Sequence, residues 1–198
     1  MRVVVESRRK KLASVEKFWL GAAIIDVTSK GAEPWVRFSP FYPHGGIPIP
    51  NTLGESAQSV EGLWQGLKVF EREDIDPGKW AITDMSGIKR GQEPRGRPWA
   101  PLRRRQRGPT RLPKRPVPYL PARLQVGAGQ PAGAQIEELW RVLADKTLVL
   151  LDYETNADPE DLSSPLSHAA LVMYQLQGSW PTARAAEAEP GAAADGGV

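Results

Sequence analysis

In the stretch "SVEGLWQGLKVF", residues 59–70, a glutamate, a glutamine and a lysine fall at i, i+4 and i+7. On a helix Glu61, Gln65 and Lys68 would rise from nearly one line, with about 10 Å of axis between the first and the last. At that separation the carboxylate and the ammonium do not pair directly. They could bracket a ligand instead, with the amide between them and the Trp64 ring beside them as a flat surface for a base or a sugar. A carboxylate near an anomeric carbon can stabilise an oxocarbenium-like state or activate water. A lysine can bind phosphate, orient a ribose hydroxyl or, when desolvated, attack an opened sugar as a Schiff-base nucleophile. The same three residues are also what an amphipathic helix shows to water, so the helix alone does not choose between site and solvated face.

Other positions carry chemistry too. In "LVLLDYETNADPED" an apolar run ends at Asp152 and Glu154, and the ends of buried strands are where ligand sites form in α/β sheets. The acids continue through Asp158, Glu160 and Asp161, without the spacing or the glycine of an EF-hand loop. A solvated turn, a catalytic or ribose-binding carboxylate and a hard-cation site are the three readings. His44 lies in an aromatic loop before Gly45 and Gly46, a place suited to a site, whereas His168, near the start of the last helix, reads as a packed or capping histidine. With no cysteine and only these two histidines, neither a thiolate nor a histidine-rich metal centre is expected, and no metal or redox cofactor is needed.

Upstream of the first helix stands "RFSPFYP", residues 37–43. An F-S-x-F-Y-P loop followed by a helix with E-x-x-W-Q-x-x-K resembles the NADAR superfamily. The likeness runs through Phe38, Ser39, Phe41, Tyr42 and Pro43 in the loop and Glu61, Trp64, Gln65 and Lys68 in the helix. Pro40 stands where that superfamily has Asn, and Val60 and Gly62 stand where Ser and His are usual. Its members act in ADP-ribose and nucleotide metabolism, cleaving N-glycosidic bonds of early riboflavin-pathway intermediates or removing ADP-ribose from guanine bases. The resemblance implies an N-glycoside hydrolase acting on a nucleotide or ADP-ribose-type substrate, with Glu61 and Lys68 catalytic. It implies base stacking on Trp64, Phe41 and Tyr42, with Gln65 and His44 in the site, and a phosphate-binding turn from Ser39 and the Gly45 and Gly46 amides. Lys89 and Arg90, in "MSGIKRGQ", would be phosphate contacts; Asp152, by its place at a strand end, is a further candidate substrate-binding carboxylate. The alternatives are a non-enzymatic module that binds ADP-ribose or a nucleotide, coupled to nucleic acid through the basic segment at residues 89–123, and an inactive protein.

The elements that must position these residues follow from pattern. Residues 2–5 and 22–28 are β-branched runs, and "RRKKLASVEKFWLG" between them suits a helix ending at Gly21, which together predict a β-α-β opening. From Pro34 to Pro50, prolines and glycines interrupt aromatic residues, predicting a loop packed on the core. Ser56 or Ser59 can cap the following helix, with Val60, Leu63, Trp64, Leu67 and Phe70 as its buried stripe. A strand over 80–83 comes next. A helix over 134–146 should bury Ile136, Leu139, Trp140 and Leu143, and "TLVLLDYET" reads as a buried strand. In the last helix Ser164 is the expected cap, Pro165 the first helical residue and Gly178 the end. The pattern predicts a single α+β domain over residues 1–181 with a small sheet, and the resemblance implies a NADAR-like helical core.

The formal charge of +3 conceals an uneven distribution. Residues 89–123 hold 12 of the 26 Lys and Arg and a single acid, leaving 14 basic against 22 acidic residues elsewhere, a net charge of −8. Within the window, residues 91–124 contain nine Arg and eight Pro, which forbids a helix or a central strand. A disordered insertion is the plainest reading. A nucleic-acid-binding arm is a second, since clustered cations neutralise phosphates, and a frameshifted GC-rich stretch is a third. Residues 182–198 lack bulky apolar side chains and read as a disordered tail. The absence of cysteine, of a leader pattern and of a long apolar run predicts a cytoplasmic protein without a membrane span.

Overall fold

The computed structural model describes residues 2–49, 52–91, 93–96, 98–99, 132–158, 161 and 163–179. Strand β1 (Val3–Ser7) leads through helix α1 (Leu12–Phe18) to β2 (Ala23–Asp26). A 3-10 helix, Trp35–Phe38, opens the aromatic loop, and the ribbon β3 (Ile47–Pro48) with β4 (Ser56–Ala57) closes it. Helix α2 (Val60–Leu67) runs into β5 (Val69–Phe70), which pairs antiparallel with β6 (Pro98–Trp99). Helix α3 (Ala132–Asp145), strand β7 (Leu148–Asp152) and helix α4 (His168–Gln177) complete the described elements. The architecture is α+β.

The main sheet has the order β1-β7-β2, all parallel, with Val3 and Ala23 both opposite Leu148. The β-α-β opening therefore holds, but its two strands do not touch, because β7 lies between them. Every residue of β7 is buried, as expected for an uninterrupted apolar run covered on both faces. Val149 and Leu151 meet Val15 of α1 on one face. Leu148 and Leu150 meet Leu139 and Leu143 of α3 and Val172 and Leu176 of α4 on the other. A second cluster forms away from the sheet, where Leu63 of α2 packs with Ile47, Ile49, Ala57 and Trp80.

Several elements depart from expectation, each for a local reason. No strand forms over residues 80–83. Asp76 caps a 3-10 turn, Pro77–Lys79, that ends at Trp80, and the Trp80 indole is drawn onto α2, where a methyl on Gly66 would overlap it. The last helix starts three residues later than predicted. Ser167 is its cap, accepting from the Ala170 amide, while the Ser164 carbonyl accepts from the Asn156 side chain and Pro165 lies outside the helix. On α3, Leu139 and Leu143 are buried as expected, but Trp140 is 39% exposed.

The start of the basic segment is held to the body. Arg95 Nε donates to Glu73 at 2.6 Å and its carbonyl accepts from Arg72 N, and β6 supplies an edge partner for β5. The expected disorder therefore does not begin at residue 91. The predictions for residues 100–124, including the nucleic-acid arm, and for the tail at 182–198 lie outside the described residues. Among the described residues no helix is long and apolar enough to cross a membrane.

Candidate functional site

A hydrogen bond ties the aromatic loop to the start of α2: the Glu61 amide donates to the Pro40 carbonyl at 2.8 Å. Glu61 N–H is among the first amides of the helix, which have no partner within it, so the loop itself supplies an acceptor. Ser59 supplies another, its Oγ accepting from Gly62 N at 2.9 Å. Together these contacts set Phe41 beside the first turn of α2.

Along α2, Glu61 and Gln65 share a face as their spacing predicts. Gln65 Nε2 donates to Glu61 Oε1 at 2.7 Å, and Gln65 Oε1 accepts from the Arg90 amide at 3.0 Å. The backbone N–H of Arg90 thereby fixes which way the amide points, and the amide fixes the carboxylate. Gln65 is buried, so it works within the protein and is not a surface for a ligand. Lys68 is not on the helix at i+7. It is the C-cap, with extended backbone at φ −64° and ψ 129°. Its ammonium lies 5.6 Å from the Trp64 ring centroid, and the Lys89 ammonium lies 5.3 Å from that of Phe41. Burial pushes the Lys68 ammonium below its ordinary value against the pull of Glu61, and the neighbouring charges of Lys89 and Arg90 push the same way.

Arg90 holds the end of the helix. Nη1 donates to the Gln65 and Lys68 carbonyls at 3.2 and 2.8 Å, and Nη2 donates to Glu73 and the Asp74 carbonyl at 3.1 and 3.0 Å. The guanidinium also lies over the Phe70 ring, and its side chain is only 1% exposed. The expected phosphate contact from Arg90 is corrected accordingly: its donors are spent inside the protein, on the end of α2 and on Glu73 and Asp74.

Other expectations from the loop are corrected in the same way. Ser39 is buried, and its hydroxyl accepts from Phe41 N, which shapes the turn and does not face a ligand. The Gly45 amide is taken by the Gln58 carbonyl at 2.8 Å. Gly46 is exposed and has φ +63°, so it serves the path of the chain. His44 Nε2 lies 2.8 Å from the Arg37 carbonyl, which makes that nitrogen the protonated one. Burial holds the ring below its ordinary pKa, and Nδ1 has no partner among the described residues. Tyr42 packs against this ring at a tilt of 49°, and the Arg37 guanidinium lies 5.7 Å from the Tyr42 centroid.

Asp152 belongs to a different place, the carboxyl end of β7. Its Oδ2 accepts from Ser167 Oγ at 2.6 Å and lies 2.9 Å from His168 Nδ1. The other nitrogen of His168, Nε2, lies 2.8 Å from the Val27 carbonyl. Burial raises the Asp152 carboxyl, but the His168 hydrogen bond and charge, with Ser167 and the Ala169 amide, outweigh it and hold the group below its ordinary value. The cluster ties β2, β7 and α4 together. Pattern reading placed the carboxylate and the histidine separately, although a Ser-His pair at a helix start after a strand ending in Asp was a signal for both. The later acids form turns: Asp161 Oδ1 accepts from Ser163 N, and Asp158 N donates to Asn156.

The residues that converge are therefore Glu61, Lys68, Lys89, Phe41 and Trp64, with Gln65 behind the carboxylate. A family model described as "Family of unknown function (DUF6939)" matches residues 7–172. The chain belongs to this family. Both the α2 cluster and the Asp152–His168 pair lie inside the matched DUF6939 region. No curated protein and no solved structure matches the chain.

Proposed function

We propose that the protein is an N-glycoside hydrolase acting on a nucleotide or ADP-ribose-type substrate at the α2 cluster. The observation that carries this reading is a carboxylate held in one orientation by Gln65, in the field of two lysines that each lie against an aromatic ring. The resemblance of the loop and helix to the NADAR superfamily supports it. In this reading Glu61 stabilises positive charge at the anomeric carbon or activates the attacking water, and the departing base leaves with a proton. Lys89, exposed, meets phosphate. Lys68, with its ammonium disfavoured by burial, orients the ribose or attacks the opened sugar. Phe41 and Trp64 offer faces for the base.

The test is release of free base from ADP-ribosyl and ribosyl-phosphate compounds by purified protein, followed by chromatography. Glu61→Gln should lower turnover by roughly a hundredfold or more while binding persists. A second reading, a binding module without turnover, draws on the same lysines and rings, which suffice to hold an anionic nucleotide. Saturable binding with no released base from the wild type would select that reading, and the absence of both would remove the cluster from consideration as a site.

A further inference from the structure

We infer that the free edge of β1 is a self-association surface, on which a second copy of the chain adds its own β1 antiparallel to make one continuous six-stranded sheet. The hydrogen bonds from Leu148 N to the Arg2 carbonyl and from Arg8 N to the Asp152 carbonyl show that even-numbered residues of this strand bond β7. The amides and carbonyls of Val3 and Val5 therefore point the other way, and among the described residues the sheet ends there. Ser7 presents its amide outward, while its carbonyl is taken by Lys10 N. An edge of consecutive valines carries no proline, and its three β-branched residues favour pairing.

The opposite edge is obstructed at its end. In β2 the odd-numbered residues bond β7, and the outward Asp26 carbonyl is covered by Gly31, where a methyl would overlap it.

Charge selects the occupant and the register. Only residues with outward amides and carbonyls can form the hydrogen-bonded pairs of an antiparallel ladder, so the two-fold axis passes through position 3, 4 or 5. With Val4 on the axis, Val3 bonds Val5 of the second copy, and Arg2 stands opposite its Glu6, twice over. With Val5 on the axis, Arg2 would meet an arginine at position 8, and with Val3 on the axis it would meet Val4. The favoured register is thus complementary to itself. Arg2 is exposed, and its guanidinium lies 4.7 Å from the Trp19 ring centroid, while Glu6 accepts from Trp19 Nε1. Both charges are therefore already held on the α1 face of the strand. The axis runs perpendicular to the sheet and puts both α1 helices on that same face. There each copy presents Phe18, 72% exposed, beside a depression of about 270 Å³ lined by Glu6, Lys10, Ser14, Val15, Phe18 and Trp19.

Sedimentation equilibrium of the full chain over a concentration series tests this. The wild type should form a dimer and nothing larger. Arg2→Glu and Glu6→Arg each set like charges opposite one another at two places and should raise the dissociation constant roughly tenfold or more. An equimolar mixture of the two variants should recover the dimer, because both cross-strand pairs become complementary again. Melting curves show whether each variant is folded. Hydrogen exchange on the wild type reads the edge directly: the Val3 and Val5 amides should gain protection with concentration, while Val4, already bonded to β7, should not change. A monomer at every concentration, unlimited association, or a dimer indifferent to both substitutions would overturn the proposal. So would failure of the mixture to reassociate, or a Val3 and Val5 exchange rate that does not depend on concentration.

Discussion

Arg90 donates four hydrogen bonds from a guanidinium almost wholly enclosed by protein. Two of them reach the Gln65 and Lys68 carbonyls at the end of α2, where a helix runs short of its own donors. Lysine has one nitrogen where arginine has a planar fork, so Arg90→Lys cannot span the same four acceptors from its buried position and should cost about 3 kcal/mol in denaturant unfolding. A loss under 1 kcal/mol would mean the clasp is dispensable. Asp152 makes a comparable demand. Asp152→Asn removes the charge facing His168 and weakens the cap of α4, at a cost of about 3 kcal/mol by the same measurement. The spacing of Glu61 and Gln65 was readable in the sequence, and the two are bonded. The true position of Lys68 was not, because the contact that turns the chain out of the helix comes from Arg90, 22 residues away, and periodicity carries no trace of it.

At the level of elements, α2 is a short helix with two glycines, Gly62 and Gly66, each facing a close neighbour. Glycine costs an isolated helix about 1 kcal/mol relative to alanine, so propensity alone would predict that Gly66→Ala stabilises. The Trp80 indole occupies that space, and the substitution should instead destabilise by about 1–3 kcal/mol. A melting temperature above that of the wild type would show that Trp80 is free to move. This packing also explains why the expected strand over 80–83 is missing: its apolar residue was needed on a helix, not in a ladder. The sheet strands were legible because Leu148-Val149-Leu150-Leu151 and the two β-branched runs are periodic and strong. Their order was not, since nothing in a strand's own residues says which neighbour it will take. The start of α4 was misplaced because Ser164 and Ser167 are equally good caps by type, and the choice was made by Asp152, which bonds Ser167.

For the whole molecule, two buried groups set a dependence on pH. His44 is held below its ordinary value of 6.5 by burial, so the unfolded chain binds the proton first and stability is lost as pH falls from 6.5 through the folded value. Asp152 is held below its ordinary value of 3.8, and its contribution is present above 3.8 and lost as pH falls through the lower folded value. Stability should therefore decline in two stages on acidification, and His44→Gln should remove the first while leaving the second. Denaturant midpoints measured from pH 8 to pH 3 check this, and a single-stage decline in the wild type would contradict it. The two hydrophobic clusters predict a matching gradient of local stability. Amides of β7, enclosed by α1, α3 and α4, should exchange only through global unfolding, whereas those of the α2 cluster should open earlier.

The position of β7 between two strands from the other end of the chain has a consequence for how the protein is made. Neither β1 nor β2 has its partner until residues 148–152 have been synthesised, long after β2 ends at Asp26. The sheet cannot assemble as the chain emerges. Its first strands wait, with both edges of each unpaired, for a segment that arrives late, and pairings between distant residues close slowly. During that interval the nascent chain is at its most exposed, and this is when a chaperone that shields apolar strands would do most for its yield.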